Sequence, residues 1–364
     1  MSATDTADTL AAGDPRAEAR RALEICNACR YCEGYCAVFP AMTRRRAFAD
    51  GDLDHLANLC HNCRGCYYAC QYAPPHEFAL NLPRALADVR QQSWADYAWP
   101  GFLARAFRGG GFGFAALLVL SIAAAFGLAG AVSGAGGAGF YAVIPHGAMV
   151  AVFGPVFVLA LAAMAVGGVR YWRATRDLGA APAHGLHHAM TLTNLSGGAA
   201  GGCNFEDTDR FTQGRRHVHQ AVLWGFLLCF AATVAGTVLH YLFDAPAPYG
   251  FFSLPKLLGV PGGVLLVIGT AGMLWLKGRA DPELGVSAGR GGETAFTWLL
   301  LLTGLTGLLL YVLGGTALMP AMLALHLGSV LALFLALPYS KMVHGLYRTL
   351  ALIRDEGEKR RTAP

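Results

Sequence analysis

Residues 26–36 read CNACRYCEGYC and residues 60–70 read CHNCRGCYYAC. Both stretches carry one spacing, Cys26-x2-Cys29-x2-Cys32-x3-Cys36 and Cys60-x2-Cys63-x2-Cys66-x3-Cys70, and together they hold eight of the ten cysteines. Thiolate is the ligand that iron–sulfur clusters require, and this spacing is one used for [4Fe–4S] clusters. In two-cluster proteins of this kind the fourth cysteine of each run ligates the other cluster. The expected ligand sets are therefore crossed: Cys26, Cys29, Cys32 and Cys70 for one cluster, Cys60, Cys63, Cys66 and Cys36 for the second. The proline that usually follows the fourth cysteine comes four residues later here, as Pro40 and Pro74. Zinc prefers separated C-x2-C pairs, often with histidine, around one tetrahedron. A disulfide framework needs an oxidising compartment and leaves eight crowded cysteines with ambiguous pairing.

Outward from the cysteines, composition divides the chain between two solvents. Up to about residue 95 it is polar and charged; beyond residue 110 it is dominated by Ala, Leu, Val, Gly and Phe. Over all 364 residues 55% are hydrophobic and 14% charged, a membrane composition. The net charge of +5 sits mostly in arginine clusters flanking apolar segments, which speaks for topology rather than nucleic-acid binding. The opening MSATDTADTLAAGDPRAEAR is polar and has no apolar signal region, so the cysteine domain is expected in the cytoplasm.

In chain order the expected parts are a disordered tail (1–18), a double-cluster domain (19–95), a six-helix transmembrane domain (96–345) and a basic cytoplasmic tail (346–364). A helix is expected from near Pro15 into the first cysteine run. Between the runs, TRRRAFADGDLDHLANLC reads as a short helical spacer with a turn at Asp50-Gly51. Arg44, Arg45 and Arg46 form either a solvated face or a docking site for an acidic partner. His55, His61 and His76 have no vacant ligand position to fill and read as structural. Trp94, Tyr97 and Trp99 suit a bilayer interface.

Six apolar stretches near 112–133, 147–169, 219–242, 257–276, 296–316 and 320–340 each approach the roughly 20 residues a spanning helix needs. The loop 170–218 carries Arg170, Arg173, Arg176, Arg210, Arg215 and Arg216, and the loop 277–295 carries Lys277, Arg279 and Arg290. The opposite loops hold one cation, Lys256. The positive-inside rule then puts both termini in the cytoplasm of a bacterial cell, with a multi-pass chain in the inner membrane.

Ionisable residues within spans are costly and mark function by default. On one continuous last helix His326 and His344 would be five turns apart, about 27 Å, on one face. His219 and His240 bracket the third span, roughly 60° apart around it. With the third and sixth helices antiparallel, His240 is expected to meet His326 on the outer side and His219 to meet His344 on the inner side. Paired imidazoles on facing helices hold b-type haem, so one or two haems are expected. His146 is an alternative outer ligand. His217 points about 140° from His240 and is a weaker alternative to His219. His184, His187 and His188 lie in the polar loop, solvated or near a quinone. Cys203 and Cys229 stand outside both quartets, Cys229 as core packing. The fold class expected is all-α: a ferredoxin-like cysteine domain binding two [4Fe–4S] clusters, followed by a six-helix haem-binding transmembrane bundle.

The phrases ICNACRYCEGYCAVFPA, NLCHNCRGCYYACQYAPPHEFALNLP, GGCNFEDTDRFTQGRRHVHQAVLWGF and LHLGSVLALFLALPYSKMVHGLYR make the chain resemble the tricarballylate/citrate utilisation protein B family over nearly its whole length. The last helix with its histidines is separately similar to the haem-bearing gamma subunit of respiratory nitrate reductase. The family resemblance implies a membrane partner for a soluble FAD-dependent dehydrogenase. That dehydrogenase would oxidise tricarballylate to cis-aconitate, and this chain would reoxidise its flavin. Electrons would pass over the clusters and haem b to quinone, making the chain an oxidoreductase subunit with no carbon-substrate site of its own. No Rossmann fingerprint or P-loop appears, so neither NAD nor FAD binding is expected here. The rival readings are a subunit of another quinone-linked complex, heterodisulfide-reductase-like, and a membrane redox sensor. A transporter would need broken helices and inward acidic residues.

Overall fold

The computed structural model describes residues 14–108, 112–132, 139–175, 179–196, 203–204, 211–285 and 290–362. Residues 1–13 of the expected tail, Arg176 and Arg210 lie outside these, as does the side chain of Cys203. The described chain is helical apart from one two-residue antiparallel ladder, β1 (Cys203–Asn204) on β2 (Phe211–Thr212).

The N-terminal part begins with α1 (Pro15–Cys29). Asp14 caps it by accepting from the Arg16 amide at 3.1 Å, and Pro15 starts it where no N–H is needed. Short α2 (Val38–Thr43), α3 (Asp50–Leu59) and α4 (Gly65–Tyr68) follow, then α5 (Leu82–Tyr97), capped by the Asn81 side chain on the Arg84 amide. The expected turn at Asp50-Gly51 is instead the first turn of α3. There the Asp52 carboxylate accepts from the Ala49 amide at 3.1 Å and ends the need for a loop. Gly51 has a packing reason: a Cβ there would stand 2.5 Å from the Ala174 carbonyl oxygen.

After α6 (Gly101–Arg108) come α7 (Phe112–Val132), the short α8 (Phe140–Val143), α9 (His146–Ala174), α10 (Pro182–Thr191), α11 (Gly214–Leu242), α12 (Leu254–Gly278), α13 (Arg290–Leu313) and α14 (Met319–Ala336). Six of these, α7, α9, α11, α12, α13 and α14, are long and apolar enough to cross a bilayer. Glycines bring spans into backbone contact, the small-residue packing that lipid favours. A Cβ on Gly225 of α11 would lie 2.5 Å from the Leu266 nitrogen of α12, and one on Gly328 of α14 would lie 2.5 Å from Cα of Ile122 on α7.

Two expectations fail at the C-terminal end. The last span does not run on to His344: α14 ends at Ala336, a 3-10 turn covers Leu337–Tyr339, and α15 (Val343–Thr362) starts after Ser340–Met342. Pro338 removes a ladder donor here, and the five-turn geometry for His326 and His344 falls with the continuous helix. Nor is 346–364 a tail where it is described. Val343, Tyr347, Ala351 and Leu352 are buried in one core with Leu23, Phe39, Leu53, Leu56, Leu86 and Trp94 of the cysteine domain. That domain is therefore closed by both ends of the described chain.

The same helix explains the arginines. Arg44 reaches Asp355 at 2.6 Å and Glu358 at 2.8 Å; Arg45 reaches Asp52 at 2.6 Å and Glu358 at 3.1 Å. Neither is a solvated face or an acidic docking patch; of the three only Arg46 is exposed. Of the three aromatics expected at an interface Trp99 is exposed, Tyr97 is half-buried and Trp94 is mostly buried, and the last two are engaged by the cysteine domain. The Trp94 indole donates to Asn58 at 2.8 Å and the Tyr97 hydroxyl to Asp54 at 2.6 Å.

Candidate functional site

The two cysteine runs fold alike. Cys26 and Cys29 lie in the last turn of α1, and Arg30 stops that helix in the left-handed region at φ 56°. Arg64, at the same place in the second run, is left-handed too at φ 68°, preceding α4 with Cys66 on it. This reversal wraps each run around its own sulfurs, a conformation that costs a non-glycine residue energy and is held here by the surroundings.

Electrostatics sorts the thiols into two groups. Burial pushes the Cys26 thiol up to about 12, and Cys70, Cys32 and Cys29 add to the rise. Cys32 goes up to about 11 through burial, then Cys70 and Cys29. Cys36 is raised well above its ordinary range by burial, then Cys63 and Cys60. Cys66 is raised by burial, then Cys63, Cys36 and Cys60, with Cys32 contributing least. The neighbours of Cys26, Cys32 and Cys36 are thus drawn from the expected crossed sets, and Cys66 adds Cys32 as the point where the sets adjoin. Sulfurs so crowded hold their protons unless positive charge sits among them. Cluster iron supplies that charge, so the donor sets fit [4Fe–4S] chemistry. The Asn62 amide donates to Cys60 Sγ at 3.4 Å and Gln71 Nε2 to Cys29 Sγ at 3.9 Å, hydrogen bonds of the kind that tune cluster potential.

The groups differ in what surrounds them. The first lies beside Tyr67, Tyr72 and Tyr31, and Tyr31 is 67% exposed. The second is fastened to the membrane domain. Arg215 of α11 donates to the Asn62 carbonyl at 2.7 Å, and the Asn62 side chain donates to the Leu284 carbonyl at 3.3 Å. Arg348 of α15 donates to the carbonyls of Asn58 and Cys60, and Arg90 of α5 to that of Cys60 at 2.8 Å.

Of the histidines, His219 and His344 come together, ring centroids 5.7 Å apart and edge to face. The His344 Nδ1 engages the Lys341 carbonyl, and the buried His219 Nδ1 has no partner. Imidazoles on facing helices are donors of the type that haem iron takes, so the residue types at this pair suit one. The outer arrangement differs from the expected one. His240 stacks on His146 at 3.9 Å, and His146 Nε2 bonds the Tyr241 hydroxyl at 2.9 Å. His326 bonds the Thr306 hydroxyl of α13 through Nδ1 at 3.1 Å, in a notch left by Gly307, where a Cβ would come within 3.0 Å of its ring. Thr306 is the partner that the residues flanking His326 do not supply.

His217 is exposed, as are His184 and His187; His184 bonds Arg360 and His188 lies 3.7 Å from Glu356. His55 is fully buried, and His76 accepts from the Phe78 amide at 3.1 Å. The half-buried Cys229 packs against Gly262. One charged group escaped the sequence reading. Glu293 on α13 pairs with Lys341 at 2.6 Å and lies 3.7 Å from Lys277. The signal available was a carboxylate just inside an apolar stretch whose neighbouring segments end in lysine.

A family model described as Citrate utilization protein B matches residues 111–364, and one described as its Fer4-like domain matches residues 19–96. The chain is 46% identical over 356 residues to the Citrate utilization protein B of Escherichia coli, covering 96% of this chain and 94% of that one. No solved structure matches.

Proposed function

The chain belongs to the citrate utilization protein B family, and from that premise we propose that it is the membrane electron-transfer subunit of a tricarboxylate-oxidising system. Its iron–sulfur character and its role in citrate or tricarboxylate utilisation follow from the family and the Fer4-like domain. The finer reading has a cytoplasmic FAD-dependent dehydrogenase, acting on tricarballylate or a relative, as donor and the quinone pool of the inner membrane as acceptor. Two [4Fe–4S] clusters and haem b, when bound, supply one-electron carriers between a two-electron donor and a two-electron acceptor.

The observation that carries this reading is the polarity of the cysteine domain. Its first thiol set borders the exposed Tyr31, open to a soluble donor. Its second set is tied by Arg215 and Arg348 to the helices that bring His219 and His344 together. Cys26, Cys29, Cys32 and Cys70 hold the donor-side cluster in this reading, and Cys36, Cys60, Cys63 and Cys66 the membrane-side one. His219 and His344 hold haem. The outer histidines rank second, since His146 and His240 stack on each other and His326 is engaged by Thr306.

The test is the visible and paramagnetic spectrum of the purified full-length protein, before and after mixing with a reduced flavoprotein dehydrogenase. Two reduced-cluster signals and a haem band are the expected result. Loss of the haem band in His219→Ala and in His344→Ala, with iron–sulfur content intact, supports the inner pair. A protein without acid-labile sulfide overturns the whole reading, and full haem in both variants moves the haem to His146, His240 or His326.

A further inference from the structure

Where the first span begins and the last one breaks, the chain leaves a shallow open cleft with about 50 Å³ of enclosed space. Trp94, Phe107, Phe114 and Tyr339 give it aromatic walls, and Glu293 and Lys341 stand in it as an ion pair at 2.6 Å. The elements meeting there fix its depth. α6 supplies Ala104 and Phe107, α7 enters with Phe114, and Lys341 follows the Leu337–Tyr339 turn that ends the last span. All of these are ends of spans on the side of the cysteine domain, so the cleft sits at the membrane rim next to that domain.

We infer that this cleft binds the head group of a membrane quinone, with Lys341 donating to a carbonyl oxygen and Glu293 holding the Lys341 ammonium in place. The inference rests on the electron-transfer reading above and gives its acceptor a place. A quinone head is a neutral, planar ring with two carbonyl acceptors, which matches aromatic walls and an ammonium donor. Glu293 is shared between Lys341 at 2.6 Å and Lys277 at 3.7 Å, so it is the aromatic walls and not the charge balance that favour a flat ring over an anionic lipid head group. Reducing a quinone to a quinol takes two electrons, supplied by the partner's reduced flavin, and two protons, one for each carbonyl oxygen. The part-exposed Lys341 ammonium can hand a proton to the carbonyl oxygen it faces and recover it from water, and water supplies the second proton. The cleft is also wired to the membrane-side cysteine run through the chain. Trp94 donates to Asn58 at 2.8 Å, and Arg348 spans the Asn58 and Cys60 carbonyls.

Photolabelling with a short-chain azidoquinone, on the full-length protein in lipid nanodiscs, tests the site without turnover. Label is expected on peptides carrying residues 91–107 or 337–343, competed away by decylquinone. Glu293→Gln should cut it at least fivefold. Ala95→Leu, which narrows the cleft from a half-buried wall position and leaves the ion pair alone, should do the same if Glu293→Gln folds poorly. Label elsewhere, or full label in both variants with iron and haem content normal, overturns the site. Oxidation of the dithionite-reduced protein separates this failure from failure of the broader reading. Decylquinone oxidation slowed at least tenfold in the variants, with ferricyanide oxidation unchanged, supports the site. Equal decylquinone rates in parent and variants overturn the site alone, and a parent that decylquinone does not oxidise overturns quinone as acceptor altogether.

Discussion

Replacing Leu352 with alanine should loosen the cysteine domain, although Leu352 follows the last membrane span in the chain. Leu352 is 2% exposed and belongs to the core that contains Leu53 and Leu56 of α3, the helix leading into Cys60. Truncating a fully buried leucine costs about 3–5 kcal/mol, the transfer of the lost carbons plus the cavity they leave. A domain of this kind has only about 5–15 kcal/mol in hand, so the loss is a large share. At about 4–8 °C per kcal/mol for a domain near 100 residues, cluster loss on heating should move down by roughly 12 °C or more. The assay is bleaching of the iron–sulfur absorbance during a thermal ramp in detergent, with the haem band followed in parallel as a report on the bundle. Thr362→Ala, at an exposed position of the same helix, is the control and should stay within about 0.5 kcal/mol of the parent. If Leu352→Ala bleaches with the parent while Thr362→Ala does too, α15 does not close the cysteine domain and the core described above is wrong.

Two further outcomes are expected. Cys36→Ser should disturb the same paramagnetic centre as Cys60→Ser and leave that of Cys26→Ser intact, with about four of about eight cluster irons lost; a match to Cys26→Ser would mean uncrossed runs. His55 is held well below its ordinary 6.5, first by burial, then by Arg45, Arg44 and Arg354, which outweigh the nearby Asp355 and Glu358 carboxylates that Arg44 and Arg45 engage. The unfolded chain then takes up a proton that the folded chain refuses. Its contribution is complete above pH 6.5 and is lost as pH falls below it, by at most about 1.4 kcal/mol per pH unit. Denaturant midpoints of parent and His55→Gln between pH 7.5 and 5.5 check this, and equal slopes would refute it.

The parts legible in the sequence are those that local signals determine. Cysteine spacing is a ligand geometry written along the chain, and six apolar runs of spanning length survive any arrangement of their neighbours. What sequence reading missed depends on partners far away in the chain. Arg44 and Arg45 look like surface charge until Asp355 and Glu358 arrive from more than three hundred residues on. The α15 helix had its apolar face in plain view, at Val343, Tyr347, Ala351 and Leu352, but its basic end drew the reading toward a solvated tail. Pro338 also signalled the break before His344, and the run of leucines around it masked the signal. Histidine pairing was half legible. His219 and His344 meet, but the outer partners depend on helix rotation, and Thr306 on a third helix takes His326.

Because α15 completes a domain that begins at α1, the order of synthesis matters for how the protein is made. The ribosome releases the first cysteine runs early, then builds the whole membrane bundle before Tyr347 and Leu352 appear. At about 5–20 residues per second that interval lasts from roughly ten seconds to a minute. Throughout it the eight thiols belong to an unfinished core, accessible to the cell's cluster-loading machinery but not yet locked in place. A chain stopped before α15 lacks Val343, Tyr347, Ala351 and Leu352 from the core of its cysteine domain and cannot close it.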